Sequence, residues 1–331
     1  MNRRELITVV SGATAALIAC LRDVRAQNRI ARVGVLMVVA EGDPDAKSFA
    51  DAFETQIETL GWHKGRNLEI NYRWGASNPE RLARYGEELV QSAPDVLLSF
   101  GTPALIPLHK LTTSIPIVFT AVSDPVAQGF VTNLSHPGGN LTGFSVFEPN
   151  IGSKWLQLLK DIAPSVTNVA VMFNPRTSPY NDLWMRSIEA AAPVVGMSTT
   201  RAVILDEEDI RKTISLVSMK PGAGLIVPSD SFTYERATLI VSLAASSRLP
   251  TLYAYARFTH QGGLISYGVD LTEQLRKGAN YVDRILKGDK PGDLPVQTPT
   301  RYTLTINLKT AKALGVTAPV GLLNAADEVI E

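Results

Sequence analysis

Val33-Gly34-Val35-Leu36-Met37-Val38-Val39 is an unbroken apolar run near the start of the chain. A strand with one wet face alternates apolar and polar residues. A continuous run predicts a strand buried on both faces, as in a parallel sheet covered by helices. The next hundred residues fit that setting. Phe49, Phe53, Ile57 and Leu60 recur at helical spacing, and Gly61 supplies a stop. Leu68 to Trp74 alternates as a strand, and Asn78-Pro79-Glu80 opens a helix with a capping Asn and a proline at the first helical position. Asp95-Val96-Leu97-Leu98-Ser99-Phe100 and Ile115 to Ala121 read as two further strands.

The same order returns about 130 residues later. Asn168-Val169-Ala170-Val171-Met172-Phe173 matches the first strand, and a helix with Trp184 and Ile188 inside ends near Gly196-Met197. Thr200 to Leu205 is a strand. Asp206-Glu207-Glu208-Asp209 caps a helix carrying Ile210, Ile214 and Val217. Gly224-Leu225-Ile226-Val227 and Arg248-Leu249-Pro250-Thr251-Leu252-Tyr253 complete the parallel with the first half. Five elements in one order, written twice, predict an α/β chain of two Rossmann-like lobes with parallel sheets and a cleft between them. In open sheets of this kind the ligand sits beyond the carboxyl ends of the strands.

The first 26 residues lie outside that pattern. Asn2-Arg3-Arg4 is basic, Leu6 to Ala19 is apolar or small, and Val24-Arg25-Ala26 offers small residues to a signal peptidase. The run is shorter than the roughly 18–20 residues that span a bilayer. A cleaved export signal at 1–26 and a periplasmic protein are therefore expected. Arg3-Arg4 fits a twin-arginine signal and an ordinary basic start equally well. Leu17-Ile18-Ala19-Cys20 resembles a lipidation site, but the charged Leu21-Arg22-Asp23 beyond it favours cleavage after Ala26. Cys20 is the only cysteine, so the mature chain is expected to lack disulfides, thiolate nucleophiles and cysteine-held metals. Thirty-two basic residues balance thirty-two acidic ones, with no basic block, which argues against nucleic acid or an anionic membrane as a partner. The roughly 300 remaining residues are enough for two lobes.

Loops at the expected strand ends hold the candidate binding residues. Gly101-Thr102-Pro103, Ser123-Asp124-Pro125, Asn174-Pro175-Arg176 and Pro228-Ser229-Asp230 each follow a strand, and Ser266-Tyr267-Gly268-Val269-Asp270 precedes a helix. Each residue type also suits a turn or a helix cap. Together they offer helix N-termini and the hydroxyls of Thr102 and Ser123 to a carboxylate, and Asp124, Asp230 and Asp270 to an ammonium group. That combination suits an amino acid or a similar zwitterion. Tyr72, Trp74, Phe147, Tyr253, Tyr255 and Tyr267 are the rings near these ends, available for packing or for stacking on a ligand.

Taken in order, several stretches resemble a known family. They are Leu60-Gly61-Trp62 with Gly65-Arg66-Asn67, Ser123-Asp124-Pro125-Val126, and Leu134-Ser135-His136-Pro137-Gly138-Gly139-Asn140-Leu141-Thr142-Gly143. Val169 to Pro175, Gly262 to Asp270, Tyr281 to Gly288, Ile306 to Gly315 and Ala326 to Ile330 continue the series. The family is that of extracytoplasmic ABC-transporter substrate-binding proteins that includes tryptophan-binding members, with a type I periplasmic-binding-protein fold. The resemblance implies two lobes that close on a small ligand and deliver it to an inner-membrane ABC permease, with no cofactor and as a monomer. It implies a first lobe of residues 29–143 with about 271–298, a second of 144–270, and a tail of about 299–331 that crosses back, its lobe left open. It places Asn174 and Asp270 at motif positions, and adds the loop Val39 to Asp43 to the cleft. The expected ligand-binding set is Thr102, Ser123, Asp124, Asn174, Ser229, Asp230, Tyr255, Tyr267 and Asp270.

Two rival functions share the scaffold. An enzyme would need chemistry that the residues do not offer. The loop Val38 to Asp43 has no G-x-G-x-x-G, there is no G-x-S-x-G, and His63, His109, His136 and His260 are scattered. A sensor that passes its closed state to a receptor is the second rival, and the sequence does not separate it from a transport component.

Overall fold

The computed structural model describes residues 30–331 except Phe147 and Pro149. The expected export signal, with Cys20, lies outside the described residues, as does the ring of Phe147.

The apolar run that opens the chain forms β1 (Ala31–Met37), and every residue from Val33 through Val39 is buried. β2 (Leu68–Trp74), β3 (Val96–Phe100), β4 (Ile117–Val122) and β5 (Leu141–Ser145) join it in an all-parallel sheet of order β2-β1-β3-β4-β5. Right-handed crossovers between parallel strands need helices on the faces. They are α1 (Ala46–Thr59), α2 (Pro79–Gln91) and α3 (Thr102–Leu111). The Asn78 side chain accepts the Arg81 N–H and Pro79 fills the first helical position, so α2 starts where the sequence predicts.

The second sheet repeats the winding. β6 (Asn168–Phe173), β7 (Ser198–Val203), β8 (Ala223–Val227), β9 (Thr251–Tyr253) and β10 (Ile265–Gly268) take the order β7-β6-β8-β9-β10, the same sequence of places as β2-β1-β3-β4-β5. Its helices are α4 (Ile151–Ile162), α5 (Asn181–Ala191), α6 (Glu207–Ser218), α7 (Ser231–Glu235), α8 (Ala237–Ser246) and α9 (Ala256–His260). Two strands extend it: β11 (Thr303–Asn307), antiparallel to β10, and β12 (Glu328–Ile330), parallel to β11, with α11 (Leu308–Leu314) and α12 (Val320–Ala325) between them. The core of this half includes Trp155, Trp184, Phe173 and Ile188.

The chain changes sheets three times. After β5 it enters α4. After β10 it returns as α10 (Leu271–Leu286), which packs on α1 and on β3, β4 and β5 of the first sheet. Pro295 and Gln297 then lie along β5, where Gln297 accepts the Ser145 N–H at 2.8 Å and donates to Gly143 at 2.9 Å, before β11 enters the second sheet. β10 ends at a close approach. A Cβ on Gly268 would stand 1.7 Å from the Ala254 carbonyl oxygen, so only glycine lets the chain leave there.

Candidate ligand-binding cleft

The carboxyl ends of β1, β3 and β4 meet those of β6, β8 and β9 across one cleft. On the first side Gly101 takes a left-handed backbone (φ 89°), and a Cβ there would lie 2.9 Å from Val38 Cγ1. This turn brings Thr102, fully buried, to the first position of α3, where its Oγ1 accepts the Ser123 N–H at 3.1 Å. Beyond β4 the register with β5 shifts between Phe119 and Val122, and Ala121 (φ 57°) and Asp124 (φ 31°) take the backbone region that side chains disfavour. Such bulges and strained residues gather where a side chain must be re-aimed. Here they carry the loop over the mouth of the first sheet.

On the second side Asp230 lies three residues beyond β8 and caps α7. Its carboxylate is 1% exposed and accepts the Asn174 N–H (2.7 Å), the Thr177 hydroxyl (2.5 Å) and the Phe232 N–H (3.0 Å). Burial pushes its pKa up to about 6 against the pull of those bonds. Three tyrosines stand around it. Tyr180 directs its hydroxyl to the Ser229 carbonyl oxygen at 3.4 Å. Tyr234 and Tyr255 meet edge to face with ring centroids 5.4 Å apart. Burial raises the phenol of Tyr180, and that of Tyr255 up to about 12, so all are neutral donors near neutral pH.

Val38, Phe100, Thr102 and Ala121 from the first half, with Tyr180, Asp230, Tyr234 and Tyr255 from the second, enclose about 40 Å³. A smaller space of about 10 Å³ lies on the other side of Tyr255, between Ser123, Ser229, Trp155, Trp184 and Tyr302. Thr102, Ser123, Ser229, Asp230 and Tyr255 of the expected set thus converge. Asn174 lies behind Asp230, its side chain accepting the Arg176 N–H. Of the other three, Asp124 and Tyr267 lie apart, and Asp270 lines an adjoining space of about 300 Å³ with Tyr234, Tyr255 and Arg257. Asp124 accepts the Ala127 N–H within its own turn. Tyr267 stacks on Tyr302 at 5.3 Å and lines an outer depression with Lys154. Asp270 caps α10, accepting the N–H groups of Thr272 and Glu273 and the Thr272 hydroxyl. Of the other rings, Tyr72 and Trp74 stack on each other at 5.5 Å, and Tyr253 stacks on Phe258 at 4.7 Å. The sequence reading missed Tyr180 and Tyr234. The available signal was their position, six residues beyond Asn174 and four beyond Asp230, just past the segments singled out. Among the described residues, no group of three or more His, Cys, Asp or Glu side chains is placed to hold a metal ion.

Residues 32–330 match the family model described as ABC transporter substrate binding protein. The chain belongs to that family. Proteins of this family bind small-molecule ligands, work with ABC permeases and are extracytoplasmic. No helix among the described residues is long and apolar enough to cross a membrane. A tyrosine-binding protein of Clostridioides difficile (strain R20291) is 25% identical over 283 residues, 85% of this chain and 80% of its own length. Among solved structures, an ABC domain in complex with L-Trp from Streptococcus pneumoniae superposes with a TM-score of 0.83 at 25% identity, covering 91% of this chain and 99% of that one. A ligand-free, open substrate-binding protein with adhesive properties from Clostridium difficile superposes at 0.67, with 24% identity and the same coverage. This substrate-binding protein is similar to each of them over nearly all of its described length.

Proposed function

We propose that this protein captures a free aromatic amino acid between its lobes, closes over it and presents it to an ABC permease. One observation carries the reading. A helix N-terminus with a buried hydroxyl and a buried carboxylate line the same cleft, which is walled by tyrosines. Thr102 and the start of α3 suit a ligand carboxylate, because a helix start carries partial positive charge and N–H donors. Asp230 suits the ammonium group, and Ser123 and Ser229 lie close enough to the cleft to add polar contacts. Tyr180, Tyr234, Tyr255 and Phe100 suit an aromatic ring, which gains from burial and from edge contacts. The tyrosine in the relative's name and the L-Trp of the streptococcal complex support the same class.

Two observations support closure. The space of about 40 Å³ between Thr102, Asp230 and the tyrosines is too small for an amino acid that touches both residues, so the lobes part to admit one there, although about 300 Å³ adjoins it beside Tyr234, Tyr255 and Arg257. The chain also superposes better on the ligand complex than on the open relative, at nearly equal identity. A ligand that touches both lobes only when they meet favours the closed state by that difference in affinity.

A thermal-shift screen of the purified protein against aromatic amino acids, aliphatic amino acids and sugars tests the assignment. A ligand at 100 times its Kd adds about 2.7 kcal/mol to the native state. The expected result is a rise of several degrees with L-tyrosine or L-tryptophan and none with sugars. A rise with sugars alone overturns the proposal.

A further inference from the structure

The lobes also touch through a group of charges beside the proposed ligand site, joined to it by Tyr234. Arg257, at the start of α9, reaches across to the loop between β1 and α1. Its Nη1 donates to Asp43 Oδ1 at 2.6 Å and to Asp45 Oδ2 at 3.1 Å. The side chains of Arg257 and Asp43 are 9% and 4% exposed, so this ion pair is buried between the lobes. The guanidinium lies 4.5 Å from the centroid of the Tyr234 ring, whose hydroxyl donates to Asp45 at 2.6 Å. Glu235 follows Tyr234 in the chain. Its side chain is 12% exposed and lies beside Ser77 and the Ala40 N–H of the first half, and its Oε1 has no hydrogen-bond partner.

A buried pair is stabilising only where it already exists. When the lobes part, Arg257, Asp43 and Glu235 regain water, so the contact acts on the equilibrium between open and closed states rather than on the ligand. We propose that Arg257, Asp43, Asp45, Tyr234 and Glu235 form a latch between the lobes that takes up a proton at Glu235 on closing, so that ligand retention weakens as pH rises. The inference rests on the closure reading above. The charged and titratable groups facing Glu235 are Asp43 from the β1–α1 loop and Arg236 beside it, whose guanidinium lies 3.8 Å away and also pairs with Glu207 of α6 at 3.4 Å. The Arg257–Asp45–Tyr234 group adjoins them. Three carboxyl groups thus share two guanidinium groups, one of which Glu207 also claims. An unpaired carboxylate oxygen in that setting is better protonated.

The direction follows from burial. In water the Glu235 carboxyl titrates at its ordinary value. In the closed arrangement burial, with Asp43 adding, pushes it up to about 7, although Arg236 and hydrogen bonding with Ser77 and the Ala40 N–H pull the other way. A group whose pKa rises on closing favours the closed state at low pH. That advantage is lost as pH rises through about 7. Asp230 gives the opposite limb. An ammonium ligand needs it ionised, so affinity falls as pH drops below about 6.

The test is the Kd of L-tryptophan by calorimetry at pH 6.5 and 8.5, for the wild type and for Glu235→Gln, which copies the protonated acid in shape and charge. The wild type is expected to lose roughly three- to fivefold in affinity over that range. Glu235→Gln is expected to lose nothing and to bind at pH 8.5 as the wild type does at 6.5. Calorimetry at pH 7 in buffers of different ionisation enthalpy should show proton uptake on binding by the wild type and none by the variant. A flat wild-type profile, or an alkaline loss that survives in Glu235→Gln, overturns the latch. Should L-tryptophan not bind at any pH, the cargo assignment falls instead. The radius of gyration of the ligand-free protein then decides the latch: growth from pH 6.5 to 8.5 supports it and an invariant value overturns it.

Discussion

At the scale of single residues, the proposed reading makes Asp230 the group on which ligand binding depends. It is held by three donors and fully buried, yet it sits at the wall of the cleft. Asp230→Asn keeps the size and removes the charge. Losing one partner of a buried charge pair costs about 2 kcal/mol or more. The variant should bind aromatic amino acids at least tenfold more weakly, and calorimetry from pH 5 to 7 should show that the acid limb near 6 is gone. Thr102 and Asp230 were legible in the sequence because a polar residue directly after an apolar strand has few other places to be. Asp270 shows the limit of that logic. Its carboxylate follows a strand and caps a helix, as that of Asp230 does, but it lies outside the space that holds Thr102 and Asp230. Nothing in a linear sequence separates a capping carboxylate from a ligand-binding one, since both precede a helix. Tyr180 and Tyr234 escaped for the opposite reason. Tyr180 ends a turn before α5 and Tyr234 lies in α7, a helix of little more than one turn, where no periodicity predicts which way a ring points.

Among the elements, α10 carries the clearest consequence of this sorting. Sixteen residues long, it leaves the second sheet and packs on α1 and the first sheet. Asp270 satisfies two of the N–H groups at its start. Asp270→Ala should therefore cost about 1 kcal/mol of stability, seen as a lower thermal midpoint, while the Kd for an aromatic amino acid stays within twofold. A large loss of affinity at unchanged midpoint would return Asp270 to the binding site. The repeated winding was readable at this scale, because buried parallel strands write themselves as apolar runs and their helices as spaced Phe, Ile and Leu. The end of the chain was not. β12 has only three residues, none of them buried, and β11 is antiparallel to β10, so neither carries the buried apolar run of strands such as β1 and β6.

For the whole molecule, two sheets of like winding are joined by three passages of chain near β5, β10 and Gln297. Across the cleft lie the tyrosines, Asp230 and the Arg257 group. A hinge of a few strand-end residues with contacts concentrated opposite it is the arrangement in which ligand binding and domain closure are one equilibrium. Small-angle scattering should therefore record a smaller radius of gyration with a saturating aromatic amino acid than without it. Arg257→Gln, which removes the charge that bridges Asp43 and Asp45, should leave a larger fraction open and weaken the same ligand by more than the loss of a surface ion pair would, because Arg257 and Asp43 are buried.

The central claim is that one amino acid spans the two lobes, carboxylate to the first and ammonium to the second. A crystal structure of the complex with L-tyrosine or L-tryptophan tests it most directly. The account predicts the carboxylate at Thr102 and the start of α3, the ammonium group within hydrogen-bond distance of Asp230, and the ring among Tyr180, Tyr234 and Tyr255. A ligand bound outside this cleft, or one that contacts neither Thr102 nor Asp230, would contradict it.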